Sequence, residues 1–218
     1  MTPSSKPVDN CQIRRASVSL LFTGSASANV QMTYTGNQQD RIRMALDEAT
    51  PRDRRIWLRE DIQIPSFVLG KADFSEVGQK ALRLGLSYGV EVQNFASVAG
   101  KRLLFQPNLM QRRTYVPPAD TLRKQPIIHS YRYLDIDTIR YTLPAGYSVE
   151  ALPKPVELAM EGANFASSIA HSGTDELLYV RRLEVTTTRL PKEEYGRYRS
   201  FWDAVARADK SIAALVRK

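Results

Sequence analysis

From Leu82 to Val92 the large apolar residues Leu82, Leu84, Leu86, Tyr88, Val90 and Val92 occupy every second position, with Arg83, Ser87 and Glu91 between them. A side-chain period of two marks a strand with one buried face, because successive side chains leave a pleated backbone on opposite sides. Such a strand needs paired neighbours and a covering layer, so this stretch is expected to be a long strand of a covered sheet. The neighbours are also legible. Ala16, Val18, Leu20 and Phe22 alternate with polar residues from near Ile13, the small residues Gly24-Ser25-Ala26-Ser27 make a turn, and Ala28, Val30, Met32 and Tyr34 alternate again. This is a hairpin with one buried face. After the turn Ala99-Gly100-Lys101, Leu103 to Phe105 gives a further short strand.

The last third continues in the same way. Ile139, Tyr141 and Leu143 alternate with Thr138, Arg140 and Thr142, and Pro144 and Gly146 fit a type I turn into Tyr147 to Leu152. Further strands are predicted over 156–160, 164–170 and 176–187, bounded by Glu161-Gly162 and by Ser172-Gly173-Thr174-Asp175. Turn signals recur roughly every ten residues, the spacing of a sandwich or barrel.

Two helices interrupt the strands. Thr50 can cap a helix with Pro51 at its first position and Asp53 following, and Trp57, Leu58 and Ile62 form its apolar stripe. The preceding stretch, 38–47, fits a shorter helix less clearly. Near the end, Pro191 opens a segment in which Glu193 and Glu194 offset the helix dipole and Tyr195, Tyr198, Trp202 and Val205 repeat at helical spacing. That stripe must cover a sheet, and 211–216 adds a terminal strand. Residues 107–126, with Pro117-Pro118 and several arginines, lack periodicity and are expected to be a long surface connection. The predicted fold is mainly β, an antiparallel β-sandwich with two peripheral α-helices. Residues 1–11 are expected to be a linker or disordered start, such as a cut in a longer polypeptide would leave, and 12–218 the sandwich, with one core or a subdivision near 107–126 both left open.

The chemistry is sparse. The 218 residues carry 31 Lys and Arg against 23 Asp and Glu, a net charge of +8, but the acidic residues are interleaved almost throughout. A solvated basic surface is the expected consequence, and nucleic acid is not an expected partner. An anionic polymer or glycan would be favoured if Lys101, Arg102, Arg112, Arg113, Arg123 and Lys124 converged beside exposed tyrosines. Tyr131, Tyr133, Tyr141 and Tyr147 could stack against such a ligand, although tyrosines at this spacing are more often half-buried in a sheet.

Cys11 is the single cysteine, which excludes a disulfide framework and a cysteine-based zinc site. It stands at the frayed start of the chain and lacks the local signature of a thiol nucleophile. His129 and His171 are the two histidines, with no short spacing to acidic residues that would suggest a metal. Asp135 and Asp137 share one side of a strand, as a glycosidase pair could, but an exposed strand bend is the expected setting. Gly85 and Gly89 lie within a strand pattern and make no phosphate-binding loop. Catalytic, cofactor-binding and metal-ligating residues are therefore all expected to be absent. No apolar run reaches the length of a membrane span, and the start lacks the apolar core of a secretory signal.

The order of Leu143-Pro144-Ala145-Gly146-Tyr147, on through Leu152-Pro153, the strand Leu177 to Val185, the block Leu190-Pro191-Lys192-Glu193-Glu194-Tyr195, Phe201-Trp202 and the ending Val216-Arg217-Lys218 resembles one domain of unknown function. It is the domain that follows the transglutaminase-like domain in exported multidomain proteins of Gram-negative bacteria. The first half, with the segment Gly100 to Pro107, resembles the stretch joining the two. This resemblance implies a Cys-His-Asp thiol site in an upstream domain, with none of that triad here. It implies a non-catalytic accessory domain, periplasmic or at the cell surface, whose partner is the transglutaminase-like domain of its own parent chain and which could also meet a cell-envelope polymer. The alternative is a stand-alone β-sandwich module that binds a glycan or anionic polymer.

Overall fold

A computed structural model describes residues 5–74, 82–110, 112–120 and 122–218. A short 3-10 turn, Pro7–Asp9, leads into β1 (Cys11–Leu20) and β2 (Ala26–Thr35), the expected hairpin. Gly24 in its turn has φ of +84°, and a Cβ there would stand 2.4 Å from the Ala96 carbonyl oxygen, so both conformation and packing call for glycine. Two helices follow, α1 (Gly36–Leu46) and α2 (Pro51–Asp61). The cap of α2 forms as its sequence predicts: the Thr50 hydroxyl accepts from the Asp53 backbone N–H at 3.2 Å. The helical reading of 38–47 was the weaker one because its apolar stripe is thin; α1 buries only Gln39, Ile42 and Leu46.

Strands β3 (Phe67–Asp73), β4 (Arg83–Val92), β5 (Ala96–Ala99) and β6 (Arg102–Phe105) complete the first half. The second half contributes β7 (Ile127–Ile128), β8 (Tyr133–Thr142), β9 (Tyr147–Ala151), β10 (Val156–Met160), β11 (Ala163–His171), β12 (Glu176–Val185) and β13 (Arg189–Leu190). It ends in α3 (Tyr195–Asp209) and β14 (Ala213–Arg217). One eight-stranded sheet runs in the order β10-β11-β12-β8-β1-β2-β4-β3, and a four-stranded sheet in the order β5-β6-β14-β9. The fold is mainly β and sandwich-like, with three α-helices among the described residues where the sequence suggested two. Every neighbouring pair in the large sheet is antiparallel except β1 and β8, which run parallel with Arg14 opposite Asp137. That pair joins strands from both halves of the chain in one sheet.

One face of the large sheet is apolar and covered. The small sheet covers part of it through Leu103, Phe105, Tyr147 and Leu215, packed in the same core as Val18, Leu20, Val90 and Tyr141. The rings of Phe105 and Tyr141 lie 5.1 Å apart there. Helices α1 and α2 add Ile42, Leu46 and Leu58 to this core. Over β10, β11 and β12, α3 forms a second core, placing Phe201, Trp202 and Val205 against Phe165, Leu183 and Val185. The aromatic stripe thus docks on a sheet, as its spacing requires.

The segment 107–126 holds no regular element apart from turns and bends among its described residues, but its first part is not a surface connection. Asn108, Leu109 and Met110 are buried, and the Pro107 carbonyl accepts from the Tyr141 hydroxyl at 2.6 Å. Farther on, the Pro118 carbonyl accepts from the Tyr195 hydroxyl at 2.9 Å. It is a strap tied to the sheet at one end and to α3 at the other. An irregular segment can be buried in this way only because side chains and backbone groups around it satisfy its polar atoms.

Candidate functional site

Strand register sets a charged row into the otherwise apolar face. Arg14 on β1 is opposite Asp137 on β8, which is opposite Arg181 on β12. All three are nearly fully buried. Arg14 Nε donates to Asp137 Oδ1, and Arg181 Nη1 lies 3.5 Å from Asp137 Oδ2. Asp209, the last residue of α3, closes the row from above: it accepts from Arg181 Nε at 2.8 Å and from Arg181 Nη2 at 3.0 Å. The strap adds the Asn108 side-chain amide and the Arg113 backbone N–H, both donating to Asp209 at 2.9 Å. Burial alone would lower the pKa of Arg181, but the Asp209 and Asp137 carboxylates outweigh it and hold the guanidinium charged. The row stands where α3, the strap and the large sheet meet. Its groups are mutually committed, since a carboxylate offers about four acceptor positions and Asp209 has that many donors.

Asp135 lies two residues before Asp137 on the same strand. The sequence reading put this pair on an exposed bend, whereas both are buried within β8. Their strand is covered because β1 and β12 flank it and place charged partners beside it. Asp137 is spent on arginines and fully buried, so the pair has no access to a substrate. Asp135 accepts from the Gln38 side chain at 2.9 Å, and burial pushes its pKa up, with Arg14 pulling it down. An aspartate raised in this way binds its proton more tightly folded than unfolded. Its contribution therefore favours the fold at acid pH and falls away as pH rises from the ordinary carboxylate range towards the raised value. Asp135→Asn keeps an oxygen for Gln38 and removes the buried charge. In urea denaturation the variant should be the more stable form at about pH 7.5, with the difference closing by about pH 3.5, where the unfolded aspartate is also protonated.

Beside the row, α1, the chain leaving α2 and strands β1, β2 and β4 enclose a polar cleft of about 180 Å3. Arg14, Tyr34, Tyr88, Arg41 and Asp61 are among its walls. Burial raises the pKa of Asp61, while Arg41 and Arg14 draw it down. Nothing in the sequence placed these five together. Arg14, Tyr34 and Tyr88 belong to three strands, Arg41 and Asp61 to two helices, and only the fold of α1 and α2 over the sheet brings them to one place.

The other residues weighed from the sequence are dispersed. Cys11 is not frayed: it opens β1, is buried, and its thiol donates to the Val8 carbonyl at 3.1 Å. Burial raises its pKa, which holds it as the unreactive thiol. His129 packs at 5.7 Å from Tyr198, and burial together with Arg113 lowers its pKa. His171 is exposed at the end of β11. Among the described residues no group of three His, Cys, Asp or Glu could hold a metal ion. Tyr141 and Tyr147 are buried in the core, leaving Tyr131 and Tyr133 as an edge-to-face pair at 6.1 Å.

Four of the six basic residues singled out from the sequence are also engaged. Arg102 pairs with Glu150 through two hydrogen bonds of 2.6 Å, and Arg112 Nε donates to the Asn108 carbonyl at 2.8 Å. The Arg113 guanidinium lies 3.7 Å from the Trp202 ring centroid, and that of Arg123 lies 4.5 Å from the Tyr195 ring. Such cation–π contacts fix the strap on α3. Lys101 and Lys124 are exposed. No helix among the described residues is long and apolar enough to cross a membrane.

Fold and site together define a β-sandwich-like domain in which charged side chains are used to join layers. The chain belongs to the DUF3858 family, a domain of unknown function with solved structure, which residues 101–215 match. That match takes in the Pro144 turn, the strand Leu177 to Val185, the Leu190 to Tyr195 block and α3, while the hairpin and the first two helices lie outside it. Among solved structures the chain is similar to a putative protease from Parabacteroides distasonis ATCC 8503, with 14% identity and a TM-score of 0.39. The similarity covers 45% of this chain and 19% of that one, so the chain spans only a small part of its length. No curated protein matches.

Proposed function

We propose that this chain is a non-catalytic accessory domain of a transglutaminase-like protein, supporting or orienting the catalytic domain in the periplasm or at the cell surface. The observation that carries the reading is the commitment of Asp137, Asp209 and Cys11 to internal contacts. Asp209 and Asp137 are saturated or sealed by arginines, and the Cys11 thiol is buried against a backbone carbonyl. General acid–base or nucleophilic catalysis needs such a group within reach of substrate and a partner that tunes it. Membership in a domain family of unknown function agrees with the reading without specifying a partner.

The test is turnover by the isolated chain on panels of peptides, glutamine transamidation substrates and glycosides. No activity above buffer is expected. Turnover that disappears in Cys11→Ala or His129→Ala would overturn the proposal.

A further inference from the structure

The cleft over Arg14 is far larger than the roughly 10–15 Å3 that one water requires. Arg14 lines it with a side chain only 4% exposed. Its Nε is held by Asp137, but its Nη2 has no hydrogen-bond partner among the described residues. A buried guanidinium N–H group without an acceptor is costly, and a carboxylate is the acceptor that suits it best. Arg41, on the exposed side of α1, brings a second guanidinium, and Asp61 at the end of α2 brings the opposite charge. Ile42, Ile62 and Met110 add apolar lining to the same cleft.

We propose that the cleft binds a small zwitterion of the α-amino-acid class, with its carboxylate on Arg14 Nη2 and Arg41, its ammonium on Asp61 and an apolar side chain against Ile42, Ile62 and Met110. A ligand bearing only negative charge would meet Asp61, and one bearing only positive charge would meet two arginines. A molecule carrying both matches the walls, because each of its charges finds the opposite one and neither wall charge is left facing its own sign. The apolar wall selects among such molecules for an aliphatic side chain.

The experiment is calorimetric titration of the intact chain with L-leucine, with 4-methylpentanoate, which lacks the amine, and with isopentylamine, which lacks the carboxylate. Leucine should bind at least tenfold more tightly than either fragment. Asp61→Asn should abolish its advantage over 4-methylpentanoate, and Arg41→Ala should reduce its advantage over isopentylamine, with Arg14 still holding the carboxylate. Asp61 is partly exposed and Arg41 exposed, so both variants should retain the parent circular dichroism spectrum. Arg14 itself is left intact, since its loss would also break the charged row. Leucine binding that is absent, no tighter than that of the fragments, or unchanged in both folded variants overturns the proposal.

Discussion

Asp209→Ala is expected to destabilise the domain by about 3–5 kcal/mol, the usual cost of removing one partner from a buried ion pair. The cost arises less from the lost attraction than from what remains. Arg181 keeps its charge in a site that is 1% exposed, now facing Asp137 alone. Asn108 and the Arg113 N–H lose their common acceptor, so the strap loses two of its anchors. Asp203→Ala, on the same helix, is the control: its pairing with Arg207 is solvent-exposed, and such pairs contribute about 1 kcal/mol or less. Urea denaturation followed by circular dichroism separates the two. Equal midpoints for both variants would mean that the row does not join the layers.

The second large effect is at Trp202. Its side chain is 1% exposed, with Phe201 at 5.2 Å, Tyr198 at 5.9 Å and the Arg113 guanidinium over its face. Trp202→Ala should cost about 3–5 kcal/mol through lost burial and the cavity left behind. Against a typical domain stability of about 5–15 kcal/mol this is a large share. Arg197→Ala, at a side chain 79% exposed, should be nearly neutral. Because Trp202 and Asp209 both hold Arg113, the double variant should lose less than the sum of the two single effects. Equal denaturation midpoints for Trp202→Ala and the parent would show that α3 is not docked on β10 to β12.

These two predictions differ in how much of their basis was visible in the sequence. The Trp202 stripe was, because helical spacing of Tyr195, Tyr198, Trp202 and Val205 reports a covered face directly. The same is true of the hairpin β1–β2, of β4 and of the capped α2, all of which depend on periodicity or on residues a few positions apart. The charged row depends on neither. Arg14 and Asp137 are 123 positions apart, and each alone looks like a polar interruption in an apolar strand pattern. Only the parallel register of β1 with β8 makes them partners, and parallel pairing leaves no local turn signal.

The strap was misjudged for a related reason. Proline and arginine content without periodicity normally marks a surface loop, and much of the later segment is exposed, but the side chains of Tyr141 and Asp209, distant in sequence, hold its first part against the sheet and α3, and Tyr195 ties Pro118 to α3. The cleft was missed because its charges come from one strand and two helices whose mutual placement no local pattern records.

The accessory role is tested most directly by comparing three preparations on the same peptidase and transamidation substrates: the full product of the gene that encodes this chain, that product with these 218 residues removed, and the chain alone. The account predicts activity in the first, reduced activity or reduced thermal stability in the second, and none in the third. Turnover by the chain alone at the rate of the full product, or a full product whose activity and stability are indifferent to losing the chain, would contradict it.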